Sequence, residues 1–285
     1  MKPSSTAIAR HALLLFVFMS VIPTLMPSFV QAKQISCFAS VDYVTPAPQK
    51  TKRALYVFVD ETVPLTAGMK KKVVDLLSEW GKPGDIVKIS RFSASYRDLY
   101  PELVYSQKVE MMPDDAFMFN LSYKDKKAVL ACLEDQKKMF KESFVTQLNA
   151  SLKSLNPKIP KSELLGSLKL LSKQVYLPDE ATEKTVLLIS DGMENSTVAS
   201  FYAKGKVRTI KPRKEISEVR RKGMIGYWKH ANVYIYGLGL MPDKKAYAKP
   251  ETIQQLKHFW EQYFVESGGK VRAIGSPELL LTAIE

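Results

Sequence analysis

The chain has 285 residues, of which 46% are hydrophobic and 25% charged, a composition that is ordinary for a globular protein and excludes a low-complexity chain. Its 42 Lys and Arg residues against 29 Asp and Glu give a formal net charge of +13. This excess favours anionic partners, such as acidic proteins, membrane surfaces, polysaccharide or nucleic acid, without choosing among them.

The first 32 residues have the pattern of a secretory signal peptide. A basic start is followed by an apolar stretch from Ala12 to Phe29, and Val30-Gln31-Ala32 then resembles a cleavage site. An uncleaved membrane anchor is the alternative, but Pro23 and Pro27 interrupt the apolar run and disfavour a spanning helix. We therefore expect cleavage after Ala32, export to the periplasm or the extracellular space, and no membrane-spanning segment in the mature chain.

The mature chain is predicted to start with an extended arm, residues 33–52, followed by a single domain, residues 53–285. In the first part of this domain the hydrophobic pattern predicts a strand over Ala54–Val59, a helix over Met69–Trp80, a strand over Asp85–Phe92 and an antiparallel edge strand over Leu103–Met111. Residues 113–160 have a less regular pattern that indicates one or two helices, and we interpret them as an insertion.

The second part of the domain continues the alternation of helices and strands. The predicted elements are a helix over Lys161–Gln174, a strand over Thr185–Ser190, a helix over Lys214–Trp228, a strand over Asn232–Gly239, a helix over Thr252–Glu266, a short strand over Lys270–Ile274 and a final helix from Ser276. This order predicts an α/β fold with a doubly wound, Rossmann-like, mostly parallel sheet that has one antiparallel edge strand.

Two of the apolar strands end in an aspartate. Asp60 follows the first strand, and Asp191, with Gly192 after it, follows the strand that ends at Ser190. The carboxyl ends of parallel strands are where ligands bind in open α/β sheets, so two carboxylates there predict a hard-cation site or an acid pair. The alternative for each aspartate is a capping role at the helix that follows.

Cys37 and Cys132 are the only cysteines of the chain. In an oxidising compartment they can form a disulfide, which closes a loop of about 100 residues and stabilises the fold by up to about 4–5 kcal/mol in the chain-entropy estimate. Two separate thiols, one in the arm and one on a helix, are the alternative, and the sequence leaves both open.

The ordered set of these features resembles the von Willebrand factor A (vWA) domain family from about Arg53 onward. The resemblance is carried by the strand that ends at Asp60, the segment Ser162-Glu163-Leu164, the strand end Ile189-Ser190-Asp191-Gly192, the strand over Val233–Gly239 and the segment Ser267–Val271. It implies a vWA-like fold and a metal-ion-dependent adhesion site at the carboxyl edge of the sheet.

Carried over residue by residue, the resemblance implies a site that binds Mg²⁺ or Mn²⁺. Asp60 matches the first aspartate of the family motif, Thr62 replaces the first serine, Ser162 stands at the threonine and Asp191 is the third-loop aspartate. Pro64 falls where the second serine is expected and has no side-chain oxygen, so this motif is degenerate. Water can replace one ligand of Mg²⁺. In the family, an acidic side chain of a protein partner fills the open coordination position.

A basic stretch follows the third loop of this motif. Five of its residues are predicted to contact an acidic partner and to steer it toward the site: Lys211, Arg213, Lys214, Arg220 and Arg221. A solvated loop and helix face is the alternative.

These features favour an exported protein-binding module, a component or assembly factor of a bacterial cell-envelope, secretion, pilus or conjugation apparatus. A metal-free structural scaffold of the same apparatus is the alternative, and a hydrolase that uses Asp60 and Asp191 is a weaker one. We expect no enzymatic activity, because no nucleophile motif or phosphate-binding glycine loop is found. We also expect no nucleic-acid partner, because no recognition motif accompanies the basic residues.

Overall fold

The computed structural model describes residues 36–39, 41, 51–93, 101–153, 163–203, 206–241 and 248–284. They belong to one compact unit, Gln34–Glu285. The predicted signal peptide, most of the predicted arm and the candidate ligand Ser162 lie outside the described residues. Within the described ranges, no helix has the length and apolar character that crossing a membrane requires.

The described elements alternate between strands and helices through most of the chain. In chain order they are β1 (Arg53–Asp60), α1 (Ala67–Leu76), β2 (Asp85–Phe92), β3 (Glu102–Lys108), α2 (Asp115–Asn120), α3 (Tyr123–Lys153), α4 (Leu164–Leu171), β4 (Glu183–Ile189), β5 (Tyr202–Ala203), β6 (Lys206–Val207), α5 (Pro212–Arg221), β7 (Ala231–Tyr236), α6 (Pro250–Glu266) and β8 (Lys270–Ile274). A π-helical turn, Ser172–Tyr176, continues α4.

Six strands form one sheet in the order β3-β2-β1-β4-β7-β8. Only β3 runs antiparallel within this sheet, at its edge, while the other neighbouring strands pair in parallel. The strand order reverses direction at β1 and β4, which places the carboxyl ends of these two strands at a topological switch point. The predicted fold class is confirmed: a mostly parallel α/β sheet with one antiparallel edge strand, flanked by helices.

The central strand β1 is apolar throughout because both of its faces are covered. Ala54, Tyr56 and Phe58 pack into a cluster with α4, α5 and α6. The alternate residues of the strand pack into a second cluster on the other face, with α1 and the second half of α3. Strands that are buried on both faces lose the polar alternation of half-exposed strands, which explains the unbroken hydrophobic run.

Helix α3 has two different environments along its 31 residues. Its second half supplies Phe140, Phe144, Leu148 and Leu152 to the cluster beside α1. Its first half packs in a smaller separate cluster with residues of α2 and of the arm. The described part of the segment that we interpreted as an insertion, residues 113–153, is mostly helical, and its second half packs in the core of the domain. The interpretation as an insertion stays a prediction.

Two predicted helices differ from the structure. Helix α5 ends at Arg221 and not near Trp228, because Gly223 takes a positive φ of 66°, and Trp228 is buried in the core within a connection that is otherwise mostly exposed. The final helix from Ser276 is absent: described residues 275–284 form no regular element. Instead, Ile284 N–H donates to the Leu76 carbonyl (2.9 Å) at the end of α1.

A disulfide joins Cys37 of the arm to Cys132 of α3. Around it, Phe38 packs edge-on against Phe117 of α2, with their ring centroids 5.7 Å apart. The backbone N–H of Cys37 also donates to the Glu110 carboxylate (2.8 Å). The crosslink therefore holds the described part of the arm against the first half of α3.

We expect the Cys37→Ser, Cys132→Ser double variant to lose about 2–4 kcal/mol of unfolding free energy, because the unfolded chain is no longer restrained by a loop of this length. Guanidinium unfolding with tryptophan fluorescence measures the loss. The oxidised wild type and the wild type in reductant serve as controls, and the reduced wild type should match the variant. Equal midpoints for all three would show that the crosslink does not stabilise the domain.

Candidate functional site

The two aspartates predicted at the sheet edge come together in the structure. β1 and β4 are parallel neighbours, and their register pairs Val59 with Ile189. Asp60 at the end of β1 therefore lies beside Ser190, whose Oγ donates to Asp60 Oδ2 over 2.9 Å. Asp191 follows directly. Both carboxylates are buried, with Asp60 2% and Asp191 7% exposed.

Two hydroxyl groups hold the carboxylate of Asp60. Thr62 Oγ1 donates to Asp60 Oδ1 over 2.6 Å, and the backbone N–H of Thr62 donates to the same oxygen over 3.0 Å. Ser190 Oγ holds the other oxygen and accepts the N–H of Gly192 (3.0 Å). Ser190 is a site residue that the sequence analysis missed. It could have been found only by pairing β1 with β4 in register, because that pairing places the residue after Ile189 beside Asp60.

Asp191 is fixed by its own loop. Its Oδ1 accepts the N–H of Met193 (2.8 Å), and its carbonyl accepts the N–H of Gly239 (2.9 Å). Burial raises the pKa of Asp191 well above its ordinary value, and the negative charge of Asp60 raises it further, while the Met193 N–H acts in the opposite direction. The two carboxylates are thus close enough for their charges to interact in a desolvated place.

Gly192 is required by the turn after Asp191. Its φ is +74°, and a Cβ there would lie 2.4 Å from Leu238 Cδ1 and 2.8 Å from Trp260 Nε1. The indole Nε1–H of Trp260 instead donates to the carbonyl of Gly192 (3.0 Å). Helix α6 therefore anchors the loop that carries Asp191.

Glu194, in the same loop, is fully buried and was also missed by the sequence analysis. Its Oε2 accepts the N–H of Leu165 in the first turn of α4 (2.9 Å). Burial raises the pKa of Glu194 to about 7, although hydrogen bonds from Ser196 and from the N–H groups of Leu165 and Leu164 act to lower it. No sequence pattern indicated this role, because the hydrogen bond joins Glu194 to a helix start that lies 29 residues away in the chain.

Tyr202 in β5 lies near the acid pair. Burial raises the pKa of its phenol to about 12, with further contributions from the charges of Asp191 and Asp60. The short β5–β6 hairpin was not predicted. The half-buried phenol of Tyr202, in this hairpin, is close enough to the two carboxylates for their charges to act on its pKa.

The side-chain oxygen atoms at this edge of the sheet are of the chemical type that binds a hard cation. A hydroxyl that donates to a carboxylate keeps lone pairs, so Thr62 and Ser190 can add oxygen ligands to the two aspartates. Oxygen-only donors suit Mg²⁺ or Mn²⁺, and Mg²⁺ usually keeps several waters. In the part of the chain that the structure describes, no group of three or more His, Cys, Asp or Glu side chains could hold a metal. Pro64 is buried and supplies no side-chain oxygen.

The predicted partner-binding residues divide into two groups. Lys211, Arg213 and Lys214 at the start of α5 are exposed. Arg220 forms a bidentate ion pair with Glu266 of α6, and Arg221 pairs with Glu218 one turn before it. The second group is partly neutralised within the domain, so the available positive charge concentrates at the start of the helix.

No family model and no curated protein matches the chain. Among solved structures, proximal thread matrix protein 1 from the mussel byssus is similar, with 15% identity and a TM-score of 0.34 over 80% of this chain. The same mussel protein with a zinc-occupied MIDAS motif has 14% identity and a TM-score of 0.33 over 79% of the chain. The chain spans 42% of that mussel protein.

A third similar structure is an aerotolerance-related membrane protein from Bacteroides fragilis NCTC 9343. It has 12% identity and a TM-score of 0.33, over 81% of this chain and 92% of its own. These likenesses are too distant to assign a function, so the function has to be argued from the residues of this chain.

We expect Asp191→Asn to stabilise the protein by about 1 kcal/mol or more in the presence of a chelator at pH 7, because it removes a buried charge beside Asp60 and keeps the acceptor for Met193 N–H. Urea unfolding in EDTA measures this change. The matched control is Asp135→Asn on the exposed face of α3, which should stay within about 0.5 kcal/mol of the wild type. A clear loss of stability in Asp191→Asn would contradict the view that the acid pair is a cost in the metal-free protein.

The raised pKa of Glu194 predicts a pH dependence of stability. The folded protein keeps this proton up to a pH of about 7, whereas the unfolded chain loses it near the ordinary value of 4.5. The unfolding free energy should therefore fall as the pH rises from about 4.5 to about 7, by up to about 3 kcal/mol from this residue.

Glu194→Gln cannot titrate, so the difference in unfolding free energy between the variant and the wild type should grow across that pH range. Urea unfolding at half-unit pH steps from 4 to 8 measures it. Parallel curves for the two proteins would show that the folded protein does not retain this proton.

Proposed function

We propose that the protein is an exported vWA-like module that binds a protein partner through a divalent cation, Mg²⁺ or Mn²⁺, held at the carboxyl edge of the sheet. The observation that carries this proposal is the buried pair of Asp60 and Asp191, with two hydroxyls beside Asp60. Two desolvated carboxylates side by side repel each other, and a cation between them relieves that repulsion.

In this proposal each residue of the site has a separate part. Asp60 and Asp191 supply the negative charge that attracts the cation, and Thr62, Ser190 and Ser162 supply neutral oxygen atoms. Because Pro64 provides no side-chain oxygen, water completes more of the coordination sphere than in an intact motif. The cation supplies an open coordination position, which an acidic side chain of the partner occupies.

The exposed cations at the start of α5 support an acidic partner. Lys211, Arg213 and Lys214 lie on the helix that follows the third loop and its hairpin, and they steer such a partner toward the domain by long-range attraction. We place the module in a bacterial cell-envelope, secretion, pilus or conjugation apparatus, on the basis of the predicted signal peptide and of a fold that binds proteins. No nucleic-acid partner is proposed.

We propose binding without catalysis. The two histidines of the predicted mature chain do not face the acid pair as a general base would: His230 precedes β7, at the opposite edge of the sheet, and His258 on α6 lies 3.1 Å from Gln262. Asp60 is held by hydroxyls and a backbone N–H, an arrangement that orients a ligand oxygen rather than a nucleophile.

A metal-free scaffold is the second candidate, and the hydrogen bonds of Asp60 favour it. Both carboxylate oxygens already accept protein hydroxyls, so the protein itself satisfies part of the hydrogen-bonding capacity of Asp60. With the proline in the motif, the same fold can then serve as a packing surface within the apparatus.

The test is a calorimetric titration of the mature protein with Mg²⁺ and with Mn²⁺, beside Asp60→Asn and Asp191→Asn. We expect saturable binding by the wild type and at least a tenfold loss in each variant, because each removes one of the two charges that attract the cation. Asp135→Asn, an equal change of charge on an exposed helix face, should bind like the wild type.

A wild-type protein that binds neither cation at millimolar concentration would refute the metal-dependent module and favour the scaffold. Binding that is equally strong in all three variants would place the cation elsewhere on the chain.

A further inference from the structure

Among the described residues, the residue at the start of helix α4 does not cap the helix with its own side chain. Its N-cap residue, Glu163, makes no side-chain hydrogen bond to the first turn. The first N–H groups of a helix have no partner within the helix, and a buried start needs acceptors from elsewhere. Leu164 and Leu165 are both fully buried, so solvent does not supply those acceptors.

Glu194 supplies an acceptor from a distant part of the chain. Its Oε2 accepts the Leu165 N–H over 2.9 Å, and helix N-termini, which carry partial positive charge, favour an acceptor oxygen at this place. Glu194 thus acts as a cap that is delivered by the loop after β4, 29 residues away in sequence.

Hydrogen bonds hold that loop at each step between Asp191 and Glu194. The Asp191 side chain accepts Met193 N–H, the Gly192 carbonyl accepts Trp260 Nε1–H, and the Glu194 carbonyl accepts Phe201 N–H over 2.9 Å. The two residues between Asp191 and Glu194, Gly192 and Met193, each make one of these hydrogen bonds, so the position of Glu194 is linked to that of Asp191 through a short, restrained piece of backbone.

The start of α4 is also tied to the end of β2. The N–H of Glu163 donates to the carbonyl of Ser93 over 3.0 Å, one residue beyond the last residue of β2. β2 is the neighbour of β1 on the side opposite β4. The helix start is thus held between the loop of Asp191 and the strand beside Asp60, which brackets the acid pair.

We propose that Glu194 is a positioning residue that couples the Asp191 loop to the start of α4 and thereby sets the cation affinity of the acid pair. This inference rests on the proposed function, and it assigns Glu194 no contact with the cation. Replacing a residue that holds a metal ligand in place by hydrogen bonding, without contacting the metal itself, typically weakens metal binding by roughly 10–100-fold.

The experiment compares two variants of similar size that differ in one property. Glu194→Gln keeps a side-chain oxygen for Leu165 N–H, whereas Glu194→Met keeps the bulk and removes the acceptor. Binding of Mn²⁺ is measured from the loss of the free-ion electron paramagnetic resonance signal. We expect about tenfold weaker binding in Glu194→Met and a change below about threefold in Glu194→Gln.

Leu171→Ala is the control for a general loss of stability. Leu171 is buried at the opposite end of the same helix, and it takes no part in the hydrogen bonds that join the helix start to the loop of Asp191. It should leave Mn²⁺ affinity within about threefold of the wild type. Equal weakening in Leu171→Ala and Glu194→Met would overturn the positioning role, as would wild-type affinity in Glu194→Met.

Hydrogen exchange of the Leu165 amide in chelator separates this inference from the proposed function. In the metal-free protein we expect faster exchange in Glu194→Met than in the wild type or Glu194→Gln. Unchanged exchange in Glu194→Met would refute the capping role itself. A wild type that binds no Mn²⁺ would refute the proposed function and the affinity role together, and the exchange rates would then decide the capping role alone.

Discussion

The constraint on which the site depends is the burial of two carboxylates at adjacent strand ends. Parallel pairing of β1 and β4 fixes Asp60 beside Ser190, and the next residue is Asp191. Both side chains are buried at this edge of the sheet. The domain therefore keeps negative charge in a desolvated place, and the surrounding hydrogen bonds of Thr62, Ser190 and Met193 partly offset that cost.

The two faces of the sheet contribute differently to this arrangement. The face covered by α4, α5 and α6 holds the loop of Asp191, through Trp260 on one side and the Glu194 contact to α4 on the other. The face covered by α1 and α3 holds the strands but makes few of the hydrogen bonds at the site. Substitutions in α6 or α4 should therefore affect the position of Asp191 more than substitutions in α3, although α3 is the longest helix described.

The sequence was sufficient for the sheet but not for all of its surroundings. The strands were predictable because a short, unbroken apolar run, such as the one in β1, is typical of a strand that is buried on both faces of a parallel sheet. The ends of helices were not predictable: α5 ends at Arg221, just before the positive φ of Gly223, and the segment after Ser276 packs along α1 because Trp80 and Leu76 offer it hydrogen-bond partners. Partners at such sequence separations leave no local pattern.

The same division applies to the site. Asp60 and Asp191 were predictable, because each follows a buried strand and parallel strands share an edge. Ser190 and Glu194 were not, because their roles depend on which strands are neighbours and on where α4 begins. A hydroxyl at a strand end and an acidic residue in a loop are common in any sequence, and only the folded contacts distinguish these two.

The choice between the two candidate functions depends on which interactions stabilise the buried carboxylate of Asp191. Its Oδ1 accepts one backbone N–H, and the nearby charge of Asp60 is unfavourable. A scaffold has no need of a second buried carboxylate, because an amide would accept the same N–H without the repulsion. A cation site needs that charge, since neutral oxygens alone attract Mg²⁺ weakly. The charge on Asp191 therefore favours the binding module, and the proline in the motif weakens the site without removing the residues that carry its charge.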